Sequence, residues 1–258
     1  MKKRVLVPTM GALHQGHGAL IKKAAALGDP IVSIFVNPTQ FGPTEDFEKY
    51  PRSSDRDLEY ALKCGAKEVL FPKASEIYPN GPIATEDSGF LGSILEGAHR
   101  PGFFNGVITV VKKLFETIAS DIAVFGEKDW QQLILIKDLS KRINGPSIVS
   151  VRTVRDENGL ALSSRNAYLS DEDYEKALYV SKALEKVESF WKDGLRDKKE
   201  LETAGIDFLS KKVSKIDYLE VRPKKLLPEL KILNQESRVL TAVWIKGTRL
   251  IDNKGLFL

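Results

Sequence analysis

The chain has 258 residues, with 39 Lys plus Arg set against 35 Asp plus Glu for a formal net charge of +4. That length buries a sizeable core as one large domain or two modest ones, and 42% hydrophobic with 29% charged residues excludes wholesale disorder. A single cysteine, Cys64, excludes an internal disulfide framework and a multi-cysteine zinc module, the near-even charge argues against a nucleic-acid-binding domain, and no run of about 18 apolar residues offers a membrane span.

The N-terminus opens like a secretory signal, with Lys2, Lys3 and Arg4 ahead of residues 5–7, but the apolar run stops at Pro8 and is broken again by His14, Gln15 and His17. The expectation is a cytoplasmic protein. Residues 5–7 read as a short strand and residues 17–27 as a helix. Residues 31–36 form a stronger buried strand. Ser54 and Asp57, three apart, have capping-box spacing and open a helix to about Lys63. Residues 69–71 read as a third strand, and a looser Gly- and Pro-punctuated stretch follows over residues 72–106. Residues 107–119 are helical, with Val107, Val110, Val111, Leu114 and Ile118 on one face. A strand at 122–125, a helix at 129–142 and a strand at 148–154 complete an alternation that predicts an α/β domain over residues 1–154: a Rossmann-like parallel sheet with crossover helices on both faces. After a loop at 155–169, Ser170 reads as the cap of a long helix over 171–191, with helical text continuing to about Lys212. Strands at 217–221, 239–245 and 249–252, the last two joined at Lys246-Gly247-Thr248, indicate a smaller α+β domain over residues 155–258. It is expected to close over the active site.

The most informative text is Pro8-Thr9-Met10-Gly11-Ala12-Leu13-His14-Gln15-Gly16-His17. It falls between the first strand and first helix, where open α/β sheets place their ligand crevice. Gly11 and Gly16 permit close backbone approach, and the helix N-terminus offers N–H groups and positive dipole to phosphate. His14 and His17, three apart, share one face of a turn. A metal reading of the two is weak, since zinc wants three or four ligands; an ordinary strand–helix turn with two exposed histidines is the plainer alternative. Phosphate chemistry, with the histidines donating to oxygens that gain charge in a transition state, is the third reading. Two further segments favour it. Gly126-Glu127-Lys128-Asp129 with Gln131-Gln132 follows another strand, and Lys128 supplies a mobile charge. Asp129 caps a helix or accepts from a ribose. Leu162-Ser163-Ser164-Arg165-Asn166 offers two hydroxyls and a guanidinium in a loop, a phosphate clamp. Asn37-Pro38-Thr39-Gln40-Phe41-Gly42 follows the strongest strand, and the amides of Asn37 and Gln40 suit a small acid's carboxylate and hydroxyls. The polar text from Gly42 to Tyr50 suggests a lid.

Taken together, these segments, with Tyr50-Pro51-Arg52, closely resemble the pantothenate synthetase family of the HxGH nucleotidyltransferase superfamily. The resemblance implies an enzyme, a ligase that condenses pantoate with β-alanine using ATP, through a pantoyl adenylate, releasing pyrophosphate and then AMP. It implies His14, His17 and Lys128 as catalytic donors, and Met10, Gly11, Ala12, Leu13, His14, Gln15, Gly16 and His17 as the wall of the ATP site. Gly126, Glu127, Lys128 and Asp129 would contact ribose and phosphates, Val154 adenine, and Leu162, Ser163, Ser164 and Arg165 the phosphates. Gln40, Gln132 and Asn37 would bind pantoate or β-alanine. Mg²⁺ would accompany ATP, near Asp57, and the family's habit implies a homodimer without nucleic-acid or membrane partners. A nucleotidyltransferase with another acceptor and a catalytically silent nucleotide-binding regulator are the rival functions. This chain departs from the family at Leu162, where Met is common, at Phe103, where His is frequent, and at Gly18, where a bulky apolar residue is usual. Some twenty residues commonly precede the family's first strand, which here opens almost at Met1.

Overall fold

The computed structural model describes residues 2–42, 47–227 and 229–258. The chain divides into two compact units, Met1–Val154 and Arg155–Leu258.

The first unit is built on a five-stranded parallel sheet of β1 (Arg4–Thr9), β2 (Asp29–Ile34), β3 (Glu68–Leu70), β4 (Ile122–Gly126) and β5 (Ser147–Val151), in the order β3-β2-β1-β4-β5. Strand alternation sorts its core. Val5, Val7, Val32, Ile34, Ile122 and Val124 join Leu13, Ile21, Ala24, Ala61 and Cys64, which belong to the side occupied by α1 (Gln15–Ala25) and α2 (Ser54–Lys63). Leu6, Ala123 and Phe125 alternate to the other face, where α5 (Phe103–Ile118) packs on β1 and α6 (Trp130–Arg142) on β4 and β5. Helices on both faces follow from right-handed crossovers that run leftward from β1 to β3 and rightward from β3 through β4 to β5. The reversal places a topological switch point between β1 and β4. There β1 stays paired to β2 through Thr9, but its pairing with β4 covers only Val5 and Leu6. Pro8, which has no N–H to offer a ladder, lies beyond that point, and the strands' C-terminal ends leave a crevice between them.

Several element bounds differ from the sequence expectation. Strand β2 begins two residues early, at Asp29. Helix α5 begins at Phe103, ahead of the apolar stripe that reveals it, because Gly102 in the left-handed region starts the turn. The looser stretch holds two short helices, α3 (Ala74–Ile77) and α4 (Glu96–His99). The expected capping box at the start of α2 does not form: the N-cap is Ser53, without a side-chain cap bond, and Asp57 turns elsewhere. The lid expected over residues 42–50 centres on residues 43–46, which lie outside the described residues.

The second unit packs α7 (Asp171–Lys192) and α8 (Lys198–Leu209) on an antiparallel sheet of β6 (Lys215–Pro223), β7 (Ser237–Ile245) and β8 (Thr248–Leu256), in the order β6-β7-β8. Ser170 caps α7 as expected, its Oγ accepting from the Asp173 N–H at 3.3 Å. The helical text to Lys212 is two helices, separated after Gly194 at φ 96°, with Asp197 capping the second. Lys246 and Gly247 form the two-residue connection, and Ile245 pairs with Thr248. Trp191, Leu184, Val187, Leu201, Val221 and Val243 are among its core residues.

The buried face of the parallel sheet makes a quantitative prediction. Leu6 is 0% exposed and Leu62 50%. Leu6→Ala is expected to cost about 2–5 kcal/mol through lost transfer energy and a residual cavity, and Leu62→Ala no more than about 0.5 kcal/mol, both read from urea denaturation midpoints.

Candidate functional site

Three strand ends of the first unit carry the candidate residues: the β1–α1 junction, the β2 end with the one-turn 3-10 helix Pro38–Gln40, and the β4–α6 junction with the 3-10 turn Glu127–Asp129. The first and third flank the switch point, where ligands bind in open α/β sheets.

The β1–α1 turn is strained and pinned. Gly11 has φ 86°, in the region natural to glycine, and Ala12 follows at φ 50°. Two successive N–H groups emerge from this turn, and one carboxylate takes both. Asp57 Oδ2 accepts from Ala12 at 2.9 Å and Oδ1 from Leu13 at 2.7 Å, with Asp57 only 1% exposed. This is why the α2 capping box is absent: the carboxylate is worth more against two otherwise orphaned buried donors than against the end of its own helix. Each Asp57 oxygen accepts one backbone N–H and keeps a further lone pair.

The histidines cap each other's helix end. His14 is the N-cap of α1, and its Nδ1 accepts from the Gly16 N–H at 3.1 Å. His17 Nδ1 accepts from the His14 N–H at 3.3 Å. Their rings stand 4.2 Å apart at 44°. A nitrogen that accepts carries no proton, so each neutral ring bears its proton on Nε2. Burial lowers the His14 pKa to about 4, with the charge of Lys128 adding to the effect and Asp129 opposing it. Burial likewise lowers His17 to about 3, helped by His14 and Lys128. The same influence places Lys128, 19% exposed in its side chain and 3.8 Å from Asp129, within electrostatic reach of both rings. Asp129 stands at the N-cap of α6 without a side-chain cap bond, its side chain 45% exposed, so capping is not what it does. The result is a pair of neutral N–H donors beside a cation, suited to an anion that gains charge.

The expected amides sort into scaffold and surface. Gln131 is buried; its Oε1 accepts from the Glu96 N–H and its Nε2 donates to the Leu91 and Ile94 carbonyls. Gln132, one residue along the first turn of α6, is half-buried. Asn37, expected to meet substrate, is 1% exposed with its amide spent internally: Nδ2 donates to Gln40 Oε1 at 3.1 Å and to the Gly106 carbonyl at 3.2 Å. In this arrangement Asn37 supports Gln40. Gln40 is half-buried, its Nε2 2.9 Å from Met10 Sδ. Arg100 donates to the Gln40 carbonyl at 3.2 Å and lies 3.6 Å over the ring of Phe103. The departure at Phe103 thus supplies a stacking platform in place of a polar ring.

Met10 and Gly11 also line an open cavity of about 230 Å³, walled by Ile34, Val36, Arg52, Ser53, Asp57 and Phe71. It lies on the β2–β3 side of the β1 turn, away from the histidines. The departure at Gly18 has a local cause too: a Cβ there would lie 2.7 Å from the Tyr60 hydroxyl, which occupies the space a larger residue needs. Glu127 accepts from the Ser150 hydroxyl at 2.9 Å, and Val154 is half-buried at the end of the unit.

In the second unit, Ser163 caps the 3-10 helix Ser164–Tyr168, its Oγ accepting from the Arg165 N–H. Asn166 Nδ2 ties back to the Ala161 carbonyl. The preceding turn is anchored by a two-pronged pair from Arg155 to Asp252 at 2.7 and 2.9 Å. Leu162, Ser163, Ser164 and Arg165 are all half-buried.

Sequence reasoning missed Asp57 as the loop's anchor, Tyr78 and Thr39 beneath Asn37, and Arg100 behind Gln40. Only Asp57 left a signal, a carboxylate at capping spacing.

Comparison with known proteins bears on the family and the fold. The family model for pantoate-beta-alanine ligase matches residues 1–255. The pantothenate synthetase of Aquifex aeolicus is 46% identical over 251 residues, covering 96% of this chain and 89% of the relative. That of Deinococcus radiodurans is 47% identical, covering 97% and 92%. The crystal structure of pantothenate synthetase from Thermus thermophilus superposes with TM-score 0.92 at 38% identity over 99% of this chain and 94% of that one. A pantoate-beta-alanine ligase from Francisella tularensis, complexed with beta-gamma ATP and beta-alanine, has TM-score 0.81 at 36% identity over 98% and 89%.

The histidine geometry predicts a pH dependence. Both folded-state pKa values lie below 6.5, so in that window the unfolded chain binds more protons than the folded one and stability rises with pH. Stability is expected in full above pH 6.5, falling as pH drops toward about 4 for His14 and about 3 for His17. Urea midpoints across pH 4–8 check this, with the dependence flattened in His17→Gln. Asp57→Ala, which orphans two buried N–H groups, is expected to lower stability by at least about 2 kcal/mol in the same measurement.

Proposed function

The chain belongs to the pantoate–β-alanine ligase family, and on that premise we propose that its residues divide the ATP-dependent condensation of pantoate with β-alanine as follows. In the first step a pantoate carboxylate oxygen attacks the α-phosphorus of ATP, the bond to the bridging oxygen breaks, and pyrophosphate leaves. In the second the β-alanine nitrogen attacks the acyl carbon of pantoyl adenylate, loses a proton, and expels AMP. Both steps turn on negative charge at phosphate oxygens. His14 and His17 answer it as neutral donors through Nε2, which do not have to shed a proton to act and stay uncharged throughout the working pH range. Lys128 adds a point charge. Residues 10–17 form the nucleotide wall, with residues 126–129 and Val154 serving ribose, phosphate and adenine. Gln40 and Gln132 hold pantoate, and Gln40 also serves β-alanine. Leu162, Ser163, Ser164 and Arg165 are donors to phosphate in the same proposal.

The observation that carries this reading is the histidine pair itself: two rings with Nδ1 committed to backbone N–H groups and Nε2 left to donate, beside Lys128 at a switch point. Among the described residues no group of three His, Cys, Asp or Glu converges on one position, so Mg²⁺ would be held mainly by the nucleotide's phosphates and water, with Asp57 as its one protein carboxylate in this proposal; no step is derived through it. Among the described residues no helix is long and apolar enough to cross a membrane. A cytoplasmic homodimer completes the proposal, checked by light scattering at twice the 28.8 kDa chain mass.

The test is AMP release. AMP is expected only with ATP, pantoate and β-alanine together, and ATP–pyrophosphate exchange with pantoate alone. AMP formation with a different acceptor, or nucleotide binding without turnover, selects one of the rival functions. His17→Ala and Lys128→Ala are each expected to lower kcat/KM by about 10²–10³, and a loss of only a few-fold in either would remove that residue from the proposal. Arg165→Ala is read separately, as a rise in KM for ATP.

A further inference from the structure

Gln40 holds its side chain over a chain of hydrogen bonds that begins far from any substrate. Its Oε1 accepts from Asn37 Nδ2, which also donates to the Gly106 carbonyl. On the other side of the Asn37 amide, Oδ1 accepts from the Tyr78 hydroxyl at 2.6 Å and from the Thr39 N–H at 3.3 Å. The Thr39 hydroxyl lies 3.0 Å from both Asn37 Oδ1 and the Tyr78 hydroxyl.

Two of these partners are backbone groups of fixed polarity. A carbonyl only accepts and an N–H only donates, so the Asn37 amide has one orientation that satisfies both. Turned over, it would set Oδ1 against the Gly106 carbonyl and its NH₂ against the Thr39 N–H. The orientation of Asn37 then dictates that of Gln40. With an Asn37 N–H pointing at it, Gln40 must present its oxygen inward and its NH₂ outward. That NH₂ lies 2.9 Å from Met10 Sδ.

We infer that Tyr78 is a positioning residue: its bond to Asn37 Oδ1 steadies Asn37 in the orientation its backbone partners set, and so holds the Gln40 amide with its NH₂ toward the substrate, where the group it binds is an acceptor such as a carboxylate or hydroxyl oxygen. Tyr78 is 6% exposed, and its bond is the shortest of those holding Asn37. Burial pushes its phenol up, against the opposing hydrogen bonds from Thr39 and Asn37, so it remains a donor through neutral pH. The Tyr78 side chain touches none of the reacting groups; its effect passes through two amides. The substrate named in the kinetic arm rests on the reading of Gln40 as a pantoate residue.

The test compares wild type with Y78F, T39V, Q40A and the Q40A/Y78F double variant in steady-state kinetics. It adds ¹⁵N-edited NMR of side-chain amides, with the Gln40 pair assigned by its loss in Q40A. Y78F removes one oxygen and is expected to raise KM for pantoate by about three- to tenfold, the range of one net hydrogen bond, with kcat and KM for ATP within about twofold. In the Q40A background the same substitution should change KM for pantoate by less than about twofold, because the residue it positions is gone. The Gln40 amide pair should shift in both Y78F and T39V. An equal effect of Y78F with and without Gln40, an equal rise in KM for pantoate and for ATP, or unmoved Gln40 resonances would each overturn the inference. Where Y78F does not fold, T39V carries the comparison, since it removes the other hydroxyl at Asn37. A wild-type chain that makes no AMP from pantoate and β-alanine defeats the functional reading alone; the amide resonances still decide the orientation.

Discussion

A single carboxylate bears on the whole phosphate end of the first unit. Asp57 accepts from the N–H groups of Ala12 and Leu13, just where Gly11 and Ala12 carry the chain through the left-handed region. Such a turn costs conformational energy at Ala12 and would leave two buried donors without partners. One buried anion on the neighbouring helix resolves both problems. Everything after the turn inherits its position: Leu13 enters the core, His14 becomes the helix cap, and His17 arrives one turn later beside it. Helix α2 therefore acts as the back wall of the motif, with Tyr60 three residues past Asp57 filling the space that Gly18 leaves open.

The electrostatics of the histidine pair follow from that placement. Two imidazoles at 4.2 Å, beside Lys128 and partly withdrawn from water, cannot both hold a proton at neutral pH. In the proposed reaction that neutrality matters: a neutral Nε2–H would strengthen its hydrogen bond as phosphate charge builds, without first binding the substrate's resting charge as tightly as a cation does. There the cation would be Lys128, on a flexible stem from another strand end. Division of the two roles between two junctions depends on the switch point, which brings the ends of β1 and β4 side by side.

The amide side of the site obeys a different rule. Gln40 takes its orientation from backbone polarity relayed through Asn37, and its main chain is held by Arg100, itself stacked on Phe103. Phe103 and Gly18 both depart from the family's usual residues, and each is matched by a neighbour that suits it. Such paired accommodations keep the reacting side chains in place while the layers behind them vary.

By itself the sequence determined the α/β alternation, because apolar periodicity and strand–helix spacing are local properties. It also determined which short segments sit at strand ends, so the placement of His14, His17 and Lys128 beside the crevice was legible. Element edges such as the start of α5 and the break between α7 and α8 were less so, since single left-handed residues, Gly102 and Gly194, set them. The tertiary structure alone decided which polar residues are spent on internal hydrogen bonds and which are not. Asn37 and Gln40, or Gln131 and Gln132, are equivalent as letters. They differ in whether a partner such as Tyr78, Leu91, Ile94, Glu96 or Gly106 lies within hydrogen-bond distance, and contacts between residues so far apart in the chain leave no periodicity to read.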